Sequence, residues 1–150
     1  MSTDKTWMQI ALDLAQQQAR HNLEVPIAAV LVADQRQIAS GYNQVIRCCD
    51  PTAHAEIVLL RRAAQLFNNY RLMNTTMYVT LEPCLMCIGA LIHARVKRLV
   101  FAAYDPHLNI TDSILNTLYK KKINHHLEVI GGILADESSE LLKNFFLKRR

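Results

Sequence analysis

Apolar positions near the start of the chain fall at helical spacing. Trp7, Ile10, Ala11, Leu14 and Ala15 are separated by polar residues, which predicts an amphipathic helix over residues 3–20 whose stripe packs on another layer. The period then changes. Ile27–Val32 is a short apolar run, and Gln37–Tyr42 follows the polar Ala33-Asp34-Gln35-Arg36, the pattern of a β-hairpin. Helical spacing returns over residues 53–68 (AHAEIVLLRRAAQLFN). Thr76–Leu81 alternates β-formers and predicts a strand, and Pro83 suits the first turn of a helix running to about Arg95. Beyond it lie a buried strand at Lys97–Ala103, a helix at Ser113–Lys121, a short strand at Leu127–Ile130 ahead of Gly131-Gly132, and a closing helix at Asp136–Lys148. Strands alternating with helices predict a layered α/β domain with helices on both faces of the sheet. No repeat, low-complexity stretch or linker divides the chain, so residues 1–150 are expected to form one domain.

Composition sharpens this. With 150 residues, 51% of them hydrophobic, the chain can bury roughly 70% of its unfolded surface, which excludes disorder as its main state. The net charge of +4 is local: Lys120-Lys121-Lys122 and Lys148-Arg149-Arg150 together carry more positive charge than the whole chain nets. Such runs suit a polyanionic partner such as nucleic acid, or are simply solvated. No run of about 18 apolar residues occurs, and the first twenty residues lack the charged start and apolar centre of a signal peptide. A cytoplasmic protein with no membrane association is therefore expected. In that compartment the four cysteines point to metal binding or buried thiols rather than disulfides.

The candidate chemistry lies at two helix starts. Cys84 and Cys87 are spaced to present both thiols on one face of a first turn. Alone, this C-x-x-C fits a metal, a redox pair or two buried small side chains equally. His54, at the start of another helix and followed by Glu56, changes the weighing. A Cys₂His set gives zinc three ligands and an open fourth position, the arrangement of a catalytic rather than a structural site. Helix N-termini also favour thiolate over thiol. Residues two apart diverge along a regular helix, so His54 and Glu56 can share a centre only at the helix end. Zn²⁺ with two thiolates and a neutral imidazole sums to zero charge, so a nearby base is needed, and Glu56 is placed to move the protons. Read singly, His54 could be a hydrogen-bonded imidazole and Glu56 a carboxylate at a helix N-terminus.

These residues resemble the zinc nucleoside deaminases, with their H-x-E…P-C-x-x-C signature. The match is closest to the bacterial tRNA-specific adenosine deaminases. It runs through AspProThrAlaHisAlaGluIle at 50–57, AsnTyrArgLeu at 69–72, TyrValThrLeuGluProCys at 78–84 and MetCysIleGlyAlaLeuIleHis at 86–93, then GlyIleLeuAlaAspGlu at 132–137 and the PhePhe…ArgArg ending at 145–150. The resemblance implies a three-layer α/β/α, cytidine-deaminase-like fold around a mixed sheet of about five strands. It implies one zinc per chain on His54, Cys84 and Cys87, with Glu56 as the catalytic proton shuttle acting on zinc-activated water. The implied reaction converts adenosine to inosine at the wobble position of a tRNA anticodon, on a homodimer, with a flipped-out base in the zinc pocket. Asn43 matches an asparagine that hydrogen-bonds the target nucleotide, and Asp105 an aspartate near the anticodon loop. The bland alternatives are a hairpin-end side chain satisfying backbone for Asn43 and a strand-end cap for Asp105.

Two segments depart from the family. Pro26-Ile27-Ala28-Ala29-Val30 carries alanine where glycine is usual, a methyl group expected close to the pocket. Pro106-His107-Leu108-Asn109-Ile110-Thr111-Asp112 lacks the usual lysine and glycine. Vicinal Cys48-Cys49 are expected to be reduced and buried, and Met73, Met77 and Met86 to pack in the core. On the last helix Phe145 and Phe146 are expected to face inward, with Lys148, Arg149 and Arg150 projecting to meet RNA phosphates. Competing readings are a deaminase of free bases or nucleosides and a non-catalytic zinc-binding partner subunit. A structural zinc module would want a fourth ligand, and none is visible.

Overall fold

The structure, a computed structural model, describes residues 3–21, 23–108 and 111–149. Its sheet has the strand order β2-β1-β3-β4-β5, with β1 (Ala28–Ala33), β2 (Arg36–Tyr42), β3 (Thr76–Leu81), β4 (Arg98–Ala103) and β5 (Glu128–Ile130). β1 runs antiparallel to β2 and β3, whereas β3, β4 and β5 are mutually parallel. The sheet is therefore mixed. The β1–β2 connection is tighter than the polar stretch suggested: only Asp34 and Gln35 lie outside the strands. Both have positive φ, the geometry that lets a two-residue turn follow the twist of a hairpin.

Helices cover both faces. α1 (Asp4–Ala19) and α5 (Ala135–Leu147) lie on one side, where Trp7, Met8, Ala11 and Leu12 pack against Val30, Tyr78, Val100 and Ala102. α2 (Ala55–Phe67), α3 (Leu85–His93) and α4 (Thr111–Lys120) lie on the other. There Leu59, Ile88, Leu91 and Leu115 meet Leu31, Met77, Val79, Leu99 and Phe101. β1, β3, β4 and β5 send alternate residues into the two cores, which explains why β1 reads as unbroken apolar sequence although its period is two. Asp4 ties α1 to the sheet through a two-pronged ion pair with Arg98 at 2.6 Å and a hydrogen bond from the Tyr78 hydroxyl at 2.8 Å.

One contact governs where α2 can sit. A Cβ added to Gly41 would lie 2.8 Å from the Ala55 carbonyl oxygen and 2.9 Å from the Leu59 nitrogen. Glycine here admits the first turn of α2 directly onto β2.

Several sequence expectations are revised. α3 begins at Leu85, with Cys84 as its N-cap, so Pro83 precedes the helix and limits the approach to it. Phe145 is buried, but Phe146 is 52% exposed; adjacent residues on a helix point in different directions, and only one can face the sheet. Met77 is buried, while Met73 and Met86 are exposed. Arg149 does not simply project: its guanidinium lies 4.5 Å from the Phe145 ring and donates to the Leu23 carbonyl at 2.9 Å. Arg150 lies outside the described residues.

Candidate active site

The parallel strands β3 and β4 end on the side of the sheet where α2 and α3 begin, and the site forms there. His54 is the N-cap of α2 and Cys84 the N-cap of α3; each has extended backbone and no side-chain cap hydrogen bond. Their side chains are thereby left free of the helix ends they start. The turn before α2 is fixed by Asp50, whose carboxylate accepts the Thr52 N–H at 2.8 Å and the Thr52 hydroxyl at 2.7 Å. His54 then donates its own N–H to the Thr52 carbonyl at 2.8 Å.

The His54 Nδ1 lies 3.6 Å from Cys84 Sγ and 3.7 Å from Cys87 Sγ. Among the described residues this is the one cluster of three such side chains that could hold a metal ion, with all ligand atoms within 4.8 Å of one another. Two thiolates and an imidazole are a zinc donor set, and three ligands leave one position open. The protonation pattern fits a cation. A hydrogen bond from the Cys87 thiol, reinforced by His54, brings Cys84 down to about 4. That same hydrogen bond, with burial and the neighbouring Glu56, holds Cys87 far above the usual thiol range. His54 is raised, chiefly by its hydrogen bond to Cys84. Without metal the groups share protons; a divalent ion substitutes for them.

Glu56, two residues into α2, is 4% exposed. Burial raises its pKa to about 7, against the lowering influence of its own backbone N–H and of His54. A carboxyl group poised there can both take and give a proton near neutral pH. His54 and Glu56 face one cavity of about 140 Å³, as expected of residues two apart only at a helix end.

Asn43, Asp105, Ile27, Leu81 and Leu108 also line this cavity. The Asn43 side chain is partly engaged: Nδ2 donates to the Val25 carbonyl and Oδ1 accepts the Val45 N–H, both at 3.4 Å. One N–H and one lone pair stay available to a ligand. One Asp105 carboxylate oxygen accepts the His107 N–H at 2.9 Å. Ala28 is fully buried but does not line the cavity; its neighbour Ile27 does. A second groove of about 390 Å³ adjoins the cavity, sharing Leu81 and Asp105 with it and walled by Tyr104, Leu142 and Phe146. Lys148 and Arg149 are exposed at the end of α5.

Two residues that sequence reasoning gave no role hold this frame. Glu24 is buried and accepts the backbone N–H groups of Ile46 and Arg47 at 2.8 and 3.1 Å, anchoring the segment after Asn43. Glu82 does the same beside Asp105. In the sequence each is a lone carboxylate before a valine or proline, with nothing marking it as internal. Cys48 and Cys49 are exposed rather than buried; their thiols donate to Gln44 Oε1 and the Ile46 carbonyl, because their turn lies outside both cores.

Residues 1–103 match the family described as "Cytidine and deoxycytidylate deaminase zinc-binding region". A tRNA-specific adenosine deaminase of Haemophilus influenzae is 50% identical over 148 residues, covering 98% of this chain and 85% of the relative. A solved structure from a study of A-to-I editing by tRNA:A34 deaminases at the wobble position superposes with a TM-score of 0.82 at 39% identity, covering 90% of this chain and 97% of the other. A guanine deaminase from Bacillus subtilis gives a TM-score of 0.67 at 30% identity, covering 99% and 94%. The mixed sheet, the two facing helix starts with their His/Cys/Cys cluster, and similarity over nearly the whole chain lead to one conclusion: the protein belongs to the zinc-dependent cytidine and deoxycytidylate deaminase family, among its tRNA-specific adenosine deaminases.

Proposed function

We propose that the protein hydrolyses adenosine to inosine at the wobble position of a tRNA anticodon, with one zinc ion per chain held by His54, Cys84 and Cys87. The observation that carries this reading is the buried Glu56 carboxyl sharing one small cavity with His54 and Cys84, two of the three residues whose ligand atoms lie within 4.8 Å of one another. A zinc ion bound there supplies Lewis-acid activation of the water that is consumed. The chain's own residues do the rest. Glu56 takes a proton from the attacking water and delivers it to a ring nitrogen of the base. It then helps protonate the departing amine, so that water and adenosine become inosine and ammonia. One carboxyl near neutral pKa can serve every transfer because it is restored at the end.

Asn43 and Asp105 are assigned to substrate. Asn43 has amide capacity to spare, and Asp105 has one carboxylate oxygen free of the His107 contact. The adjoining groove supports an RNA loop over a free base: Tyr104 and Phe146 are 55% and 52% exposed beside the cavity, and exposed rings stack on unpaired bases. Lys148, Arg149 and Arg150 are assigned to phosphate contacts, with Arg149 held near Phe145. A cytoplasmic homodimer completes the reading. Leu66, Tyr70 and Leu85, on or next to α2 and α3, are at least 60% exposed and offer apolar side chains to a second copy of the chain. No described helix is long and apolar enough to cross a membrane. The second reading, a deaminase of free purine bases, is favoured by the small size of the cavity and by the likeness to a guanine deaminase.

Elemental analysis is expected to find one zinc per chain in the purified protein and little in Cys87→Ser; full metal in that variant contradicts the ligand set. Glu56→Gln is expected to keep zinc and fold while losing at least about 10²–10⁴-fold in kcat, and substantial turnover by the zinc-loaded variant removes its proton-shuttle role. An anticodon stem-loop with adenosine at the wobble position is expected to be deaminated with far higher kcat/KM than free adenosine, cytidine or guanine, because flanking nucleotides contribute binding realised in the transition state. Equal efficiency on free bases or nucleosides favours the second reading.

A further inference from the structure

We propose that Glu82 is a positioning residue for the substrate, its buried carboxylate fixing the Asp105 wall of the cavity; this rests on the deaminase reading above. Glu82 follows β3 directly, is 4% exposed and lines the cavity beside Asp105, with both carboxylate oxygens turned to donors of the wall and of α4. One carboxylate oxygen accepts the Asp105 N–H at 2.9 Å. The other accepts the Thr111 hydroxyl at 2.7 Å and the Thr111 N–H at 3.3 Å. The backbone N–H of Glu82 donates to the Ala103 carbonyl at 2.8 Å. A single residue thus grips the end of β4, the wall residue two positions later and the first residue of α4.

The same residue precedes the Pro83-Cys84 turn, so the wall and the ligand-bearing turn are referenced to one point. The connection runs on through Asp105, whose carboxylate orders the next turn at His107. A carboxylate this buried is tolerated only with its acceptors filled, and here every donor it meets comes from the wall or from the N-terminus of α4, where negative charge is favoured. Neither the zinc ligands nor Glu56 shares a hydrogen bond with it among the described residues. Its effect is therefore expected on binding of the nucleotide rather than on the proton transfers.

Glutamine is the discriminating substitution. It keeps the shape but has one acceptor oxygen where both are used, and its amide N–H groups would face either the Asp105 donor or the Thr111 donors. Thr111→Val removes one donor and keeps the shape on the other side. Glu82→Gln is expected to raise KM for the stem-loop about tenfold, the factor carried by one hydrogen bond to a charged group, with kcat within about threefold of wild type. Thr111→Val should raise KM less. The double variant should match Glu82→Gln alone, since both act through one network. Hydrogen exchange at the Asp105 amide, read on the full chain whether or not RNA is turned over, should speed up in Glu82→Gln. A loss of kcat at unchanged KM, additive effects in the double variant, or an unchanged Asp105 amide overturns the proposal. Failure of the wild-type protein to deaminate the stem-loop would instead overturn the deaminase reading, and the exchange measurement would still decide whether Glu82 holds the wall.

Discussion

Helix α2 lies so close to β2 that Gly41 has no room for a side chain, with the Ala55 carbonyl oxygen 2.8 Å from where a Cβ would be. That approach sets the position of His54, the residue immediately before the helix. α3 starts from the end of β3, and Cys84 caps it as His54 caps α2. Each cap forgoes the hydrogen bond that a serine or aspartate would make to its helix. What α3 gains in exchange is a thiolate at its start. Cys84 is lowered to about 4, chiefly by the hydrogen bond from the Cys87 thiol and by His54, with a smaller part from the Cys87 backbone N–H in the first turn, an arrangement suited to a cation.

Much of this was legible in the chain. Each expected element has an observed counterpart, with most ends within two residues, because the apolar period changes clearly from helix to strand at Ile27–Val32 and Thr76–Leu81. The deaminase resemblance ran through stretches along nearly the whole chain, and within it His54 with Glu56 and Cys84 with Cys87 are marked by local spacing, which is what a sequence displays. Direction on a helix end was harder to read. Phe145 and Phe146 look alike in the sequence, and only the packing of α5 on the sheet decides that one is buried and the other exposed. Cys48 and Cys49 show the same limit. Whether a thiol is internal depends on which loop turns outward.

The buried carboxylates Glu24 and Glu82 were illegible for a different reason. Their partners are backbone N–H groups 22 to 29 residues away, joined for Glu82 by the Thr111 hydroxyl, and backbone donors carry no sequence signal. Glu24 pins the segment after Asn43, and Glu82, which itself lines the cavity, pins Asp105. The polar residues assigned to substrate are thus carried by loops, and each loop is tied down by a buried carboxylate.

In the reading proposed above, this cavity acts on one particular adenosine of tRNA. Sequencing of total tRNA after incubation with the zinc-loaded protein tests it most directly, since inosine reads as an A-to-G change. The account predicts such changes at the wobble adenosine of the anticodon and at no other adenosine, and their absence with zinc-loaded Glu56→Gln. Unchanged tRNA in the presence of active deamination of free bases, or A-to-G changes scattered along the tRNA, would contradict it.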